Sequence, residues 1–204
     1  MPGDHREIEV KFYVKALSPI ASRLSALGAV QIQARLHEYN LRFDTPTGSL
    51  ERQSKVLRLR RDSAAYLTFK GPGALVDGVS QRQEIEFSLD NFDAARAFLG
   101  ALGYQVSMVY EKYRAVYRLE HALVTLDEMP FGHFVEIEGP DGATIQQICT
   151  LLGLNWGARI VDSYAGLFNV VRSNLGLDTD HLTFDVFSGL QVTAADLGVH
   201  PAEA

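Results

Sequence analysis

Arg6-Glu7-Ile8-Glu9-Val10-Lys11-Phe12 alternates without a break. Glu7, Glu9 and Lys11 fall on one side; Ile8, Val10 and Phe12 fall on the other. Period-two alternation is the signature of a strand with two unlike faces. The charged face is the unusual one. Two carboxylates two positions apart repel each other, and an ammonium follows at the same spacing. One reading is the solvated face of a surface strand, the ordinary place for such side chains. The other is a pair of hard-cation ligands beside an anion-binding ammonium. What the other strands carry decides between them.

The same alternation recurs along the chain. Residues 55–61 set Arg58 and Arg60 against Leu57 and Leu59, and residues 66–70 set Tyr66, Thr68 and Lys70 against Leu67 and Phe69. Residues 80–89 place Arg82, Glu84 and Glu86 opposite Ile85, Phe87 and Leu89. Lys112 and Arg114 oppose Tyr113, Ala115 and Tyr117; Thr125 and Asp127 oppose Val124 and Leu126; Phe134, Glu136 and Glu138 oppose Val135 and Ile137. Residues 30–43 read as one long strand. Helix signals lie between. Ser18 as N-cap and Pro19 after it open a helix with Ile20, Leu24 and Leu27 on one face and Gly28 at its end. Asn91 and Asp141 cap two more, and a fourth follows over 163–171. Residues 44–48 read as a turn. Residues 71–78, entered by Gly71-Pro72-Gly73, read as a mobile loop. From Asp178 the chain is irregular, with Phe184, Val186 and Phe187 apolar. The expected organisation is one domain over 1–175 and a tail over 176–204 that docks on the body, joins a partner or stays disordered.

Composition sets the bounds. The 204 residues are 47% apolar and 22% charged, ordinary for a soluble globular protein. A net charge of −6 argues against a general nucleic-acid binder but leaves room for a local basic pocket. The single cysteine, Cys149, excludes an internal disulfide, reads as a packing residue and points to a cytoplasmic protein. Asp4, His5, Arg6 and Glu7 have no apolar run behind them, so no signal peptide is expected. No stretch reaches the roughly 18 apolar residues of a membrane span. Neither nucleic acid nor membrane is expected as a partner; a homodimer is left open. His5, His37, His121, His133, His181 and His200 are scattered and read as structural or surface residues. There is no Walker loop, because Gly71-Pro72-Gly73 lacks the following Lys-Ser/Thr.

Summed over the strands, the acids are Glu7, Glu9, Glu84, Glu86, Asp127, Glu136 and Glu138. The bases are Lys11, Arg58, Arg60, Lys70, Arg82, Lys112 and Arg114. A wet exterior over an ordinary apolar core would account for any one strand. Two features favour the inverse. The signs are sorted by strand, and the amphipathic helices need an apolar surface to cover. If the sheet curls into a barrel, an α+β fold of roughly eight antiparallel strands has its helices packed outside and the charges lining a lumen. Buried charges are costly unless paired or bound to metal; seven acids and seven bases can satisfy one another. Clustered bases ask for a polyanion. Carboxylates ask for Mg²⁺ or Mn²⁺, which bridge acids to phosphates. A polyphosphate with a bound divalent metal satisfies both.

The residues that carry these features resemble those of a known family. Glu7-Ile8-Glu9-Val10-Lys11 resembles the Glu-x-Glu-x-Lys signature of the CYTH superfamily, the triphosphate tunnel metalloenzymes. The likeness continues in order through Phe43-Asp44-Thr45-Pro46, Leu57-Arg58-Leu59-Arg60, Leu67-Thr68-Phe69-Lys70-Gly71-Pro72, Arg82-Gln83-Glu84-Ile85-Glu86, Lys112-Tyr113-Arg114, Leu126-Asp127 and Phe134-Val135-Glu136-Ile137-Glu138. Asp162-Ser163-Tyr164 resembles a late motif of the class IV adenylate cyclase branch. The resemblance spans about residues 5–172. It implies an antiparallel β-barrel closed as a tunnel, and metal ligation by Glu7, Glu9, Glu136 and Glu138, with Asp127 as ligand or orienter. It implies phosphate binding by Lys11, Arg58, Arg60, Lys70, Lys112 and Arg114. Arg82, Glu84 and Glu86 are tunnel residues, with Arg82 counted as substrate-binding. Glu136, Glu138 and Lys11 are the expected catalytic residues. The expected reaction is hydrolysis of a phosphoanhydride bond in inorganic, thiamine or nucleoside triphosphate. The alternatives are cyclisation of ATP to cyclic AMP with loss of pyrophosphate, and a non-catalytic polyphosphate-binding module.

Overall fold

The computed structural model describes residues 6–203; His5, the first five positions of the expected domain, and Ala204 lie outside them. In chain order the elements are β1 (Arg6–Val14), α1 (Ser18–Ala26), β2 (Val30–Asp44), α2 (Ser49–Arg52), β3 (Val56–Arg61), β4 (Ala65–Lys70), β5 (Ala74–Val76) and β6 (Val79–Leu89). There follow α3 (Phe92–Ala101), β7 (Gln105–Leu119), β8 (Ala122–Met129), β9 (Gly132–Glu138), α4 (Gly142–Leu152), β10 (Arg159–Ile160) and α5 (Tyr164–Leu175).

The opening strand holds the sheet together. β1 pairs with β9 along six positions, from Glu9↔Glu138 to Val14↔His133. Its first half pairs with β6, from Arg6↔Gln83 to Glu9↔Ser80. That second pairing closes the series β1-β9-β8-β7-β2-β3-β4-β6 back on β1 as an antiparallel ring of eight strands, as the resemblance implied. β10 adds to β1, and β5 extends the β4 side of β6.

Closure turns the sheet's apolar face outward, and helices cover it. α4 is capped by Asp141, whose carboxylate accepts the Thr144 N–H at 2.7 Å, and it ends at Gly153 with φ 70°. Its Ile145, Ile148, Cys149 and Leu152 pack with α1 residues Ile20 and Leu24 over Val10, Phe12, Val124 and Ile137. Burial of each such branched chain is worth about 1.5–3 kcal/mol. α3, capped by Asn91, lays Phe92 and Leu99 on Leu41 and Leu59. α5 packs Leu167, Phe168 and Val171 with Phe131, Phe134, Leu182, Phe187 and Leu197. The last three of those apolar residues belong to the tail, which is docked. Leu182 exchanges backbone hydrogen bonds with Val109 and Glu111, and Ala202 donates to the Tyr13 carbonyl at 2.9 Å.

Three local expectations are corrected. α1 has Leu17, not Ser18, at its N-cap, with no side-chain cap bond; Leu17 is already in the helical region at φ −84°, so the serine lies one residue too late to cap. Residues 71–78 are not a loop throughout: β5 and β6 form a hairpin across Asp77 (φ 51°) and Gly78 (φ 79°). Asp-Gly with positive φ at both positions matches the right-handed strand twist, a signal present in the sequence. α2 was not anticipated; Asp44 builds it by accepting the backbone N–H groups of Thr45, Leu50 and Glu51.

Candidate functional site

Because side chains alternate, the residues opposite each strand's apolar set all point into the ring. Thirteen of the fourteen expected charged residues line one cavity of about 810 Å³, all but Asp127. They are arranged as ion pairs. Lys70 holds Glu7 at 2.7 Å and Glu84 at 2.9 Å. Arg82 lies 3.7 Å from Glu7. Arg58 meets Glu86 at 3.0 Å, and Arg60 meets the same carboxylate at 3.1 Å. Lys11 bridges Glu9 at 2.7 Å and Glu136 at 3.2 Å, and Arg114 also binds Glu136.

The pairs set the protonation of the lining. Burial alone would strip Lys11 of its proton, but Glu9 and Glu136 outweigh it and raise its pKa, so the ammonium stays charged. Burial would likewise raise Glu136, yet Lys11, Arg114 and Lys112 pull it well below the usual carboxylate value. Glu138 is different. Burial, then the charges of Glu7, Glu9 and Glu84, push it up to about 7. One side of the tunnel is thus crowded with carboxylates that repel one another.

Asp127 sits behind the bases with no exposure. Arg114 Nε reaches its Oδ1 at 2.6 Å; Lys112 and the Tyr164 hydroxyl reach its Oδ2 at 3.2 and 2.7 Å. Those bonds tie it to Arg114, Lys112 and Tyr164. Tyr164, at the first turn of α5, carries Lys11 and Lys112 each 5.4 Å from its ring centre.

The sequence reading overlooked the lumen face of β2. Glu38 is fully buried, holds Arg60 at 3.1 Å and lies 3.6 Å from Lys112. Burial would raise its pKa, but Lys112, Arg114, Arg60 and Arg58 hold it down to about 2. Asn40 is also fully buried, and Arg42 lines the cavity. The signal was there: Glu38, Asn40 and Arg42 alternate with Tyr39, Leu41 and Phe43 as in the other strands. Outside the tunnel, Cys149 is buried with its thiol donating to the Leu154 carbonyl, and burial pushes its pKa up to about 11. His37 packs on Tyr113, and His181 Nδ1 accepts the Val109 N–H.

A cation would relieve the crowded carboxylates. Glu7, Glu9 and Glu138 offer hard oxygen donors of the type Mg²⁺ and Mn²⁺ take, and Glu138 is pushed up by burial first and then by the charges of Glu7 and Glu9. Among the described residues no three such side chains already converge into a metal site, since the bases hold them apart.

A ring of antiparallel strands with ion pairs inside and helices outside defines a tunnel protein. The chain belongs to the CYTH domain family, whose family model matches residues 5–148. Among solved structures it is similar to a candidate adenylate cyclase from Vibrio parahaemolyticus, at 23% identity and TM-score 0.68, covering 78% of this chain and 94% of that one. It is similar to PH1012 from Pyrococcus horikoshii, at 25% identity and TM-score 0.65, covering 78% and 96%. A third is HpAC1 from Hippeastrum, a candidate adenylyl cyclase with a dominant triphosphatase activity. That likeness has 23% identity and TM-score 0.62 and covers 82% and 95%. No curated protein matches the chain. No helix among the described residues is long and apolar enough to cross a membrane.

Proposed function

We propose that this protein is a divalent-metal-dependent cytoplasmic triphosphatase: it binds a small-molecule triphosphate in the tunnel and hydrolyses a phosphoanhydride bond. One observation carries this reading. Seven bases from five strands converge on a single cavity of about 810 Å³, each already neutralised by carboxylates. Such a lining is costly to build for stability alone, because well-packed apolar residues of similar volume do as well or better. It is an exchangeable set of counter-ions, in which a polyanion takes the place of the acids.

Glu7, Glu9 and Glu138 would hold Mg²⁺ or Mn²⁺, which neutralises phosphate charge and polarises the scissile bond. The chain's own residues do the rest. Arg58 and Arg60 offer two-pronged donors to phosphate oxygens. Lys11, Lys70, Lys112 and Arg114 supply fixed positive charge where it develops on the transferred group. Glu136 stays anionic and aims Lys11 and Arg114 together. Phosphoryl transfer needs positioning and charge neutralisation more than covalent catalysis, and this lining offers both.

The rim supports hydrolysis over cyclisation. Cyclising ATP requires the adenosine to be held so that the ribose 3′ oxygen attacks. Among the described residues the only aromatic rings lining the cavity are Tyr110 and Tyr164, and both are tied to tunnel charges. Incubation with inorganic triphosphate, thiamine triphosphate and ATP, each with Mg²⁺, Mn²⁺ or Ca²⁺, tests the reading. Release of orthophosphate is expected. Cyclic AMP with pyrophosphate would make it a cyclase, and tight binding without turnover for any metal would make it a binding module. Glu136→Gln is expected to abolish turnover while retaining part of the triphosphate affinity; parental activity in that variant would misplace the catalytic centre.

A further inference from the structure

We propose that Arg42, facing Arg58, forms an anion subsite at the tunnel mouth that holds the outermost phosphate, the one not transferred, and so favours inorganic triphosphate over its esters. The inference rests on the triphosphate reading of the tunnel. Three observations support it.

The seven tunnel bases are all tied to carboxylates. Arg42 lines the same cavity, half-buried, yet among the described residues its guanidinium has no hydrogen-bond or ion-pair partner. The register then places Arg42 directly opposite Arg58 on β3, with Met108 opposite on β7. Like charges facing each other across two strands are destabilising. An anion between the two guanidiniums turns that repulsion into attraction from both sides. Finally, Asn40 lies two residues deeper on the same face, fully buried, opposite Arg60 and Tyr110. Neither its Nδ2 nor its Oδ1 has a partner, and Arg60 Nε beside it is also unpaired. Buried polar groups without partners are rare and costly. A phosphate oxygen accepts from the Arg42 and Arg58 guanidiniums, which line the cavity, while Asn40 stands behind them off the wall.

The position implies a preference. Ser54 and Lys55, at the start of β3, line the cavity with Arg42, which puts this end at the mouth. A triphosphate whose reacting end is deep has its other end here. In inorganic triphosphate that end is a terminal phosphate with more negative charge than the singly charged phosphate of an ester. An unpaired cation there rewards the extra charge.

Calorimetric titration of the full chain with Mg²⁺ and a methylene-bridged triphosphate, compared with methylene-bridged ATP, tests this without turnover. Arg42→Gln is expected to lose about tenfold or more in affinity for the inorganic analogue, and distinctly less for the ATP analogue. The same variant is expected to melt higher than the parent without ligand, because it removes a like-charge pair. Unchanged affinity for the inorganic analogue in Arg42→Gln overturns the subsite alone, as does an equal loss for both analogues. A parent chain that binds neither analogue overturns the triphosphate reading and the subsite with it.

Discussion

Arg60 donates at once to Glu38, Asp62 and Glu86, at 3.1, 2.8 and 3.1 Å. Its planar fork spans β2, β3 and β6, which a lysine cannot do. Arg60→Ala is expected to weaken triphosphate binding by about 1.5–3 kcal/mol, the range for hydrogen bonds to charged groups. Calorimetry reads it. The melting temperature should fall as well, because Glu38 would keep only Lys112, at 3.6 Å, for a fully buried carboxylate. An unaltered melting point would mean that Glu38 is carried by Lys112 alone. The same residue shows where sequence reading stops. The alternation put Arg60 on a charged face, but two of its acid partners come from positions 38 and 86, and only the pairing of β2, β3, β4 and β6 brings them to it.

At the level of elements, the strands and the capped helices were legible because each rests on local rules. Glu-x-Glu-x-Lys needs only the pleat to sort its faces, and Asn91 and Asp141 need only the next turn to cap it. α2 was not legible, since four residues carry no periodicity; Asp44 makes it. Asp44's pKa is lowered: burial opposes, but the backbone N–H groups of Leu50, Glu51 and Thr45 prevail. The stabilisation is therefore full above the unfolded value of 3.8 and fades as pH falls through the lower folded value. Asp44→Asn is expected to lose stability of about 0.5–2 kcal/mol, the range for a lost cap, and to flatten this part of the acid limb. Denaturant melts from pH 7 down to pH 3 check it. Parallel pH profiles for the two proteins would show that the cap carries no ionic component.

For the molecule as a whole, the tail is a structural part of the site. Leu182, Phe187 and Leu197 bury themselves with α5, and α5 carries Tyr164, the hydroxyl that helps to hold Asp127. Leu197→Ala is expected to cost about 2–5 kcal/mol, the usual range for a fully buried leucine. It should also lower triphosphate affinity, because a loosened α5 loosens Asp127 and through it Arg114 and Lys112. A fall in melting temperature with unchanged affinity would sever the tail from the site.

The amino-acid sequence by itself determined the faces: which side chain of each strand is ionic, which is apolar, and which helix stripes are greasy enough to need cover. These follow from periods of two and of 3.6, which neighbouring residues impose on one another. Only the tertiary structure decided which face turned inward. One register, β1 against β6 as well as β9, closes the ring and puts the charges inside. It also decided that Glu136 lies between Lys11 and Arg114 while Glu138 joins Glu7 and Glu9, and that among the described residues Arg42 forms no ion pair. Pairings of that kind depend on strand tilt and stagger around a closed sheet, and these are properties of the ring as a whole.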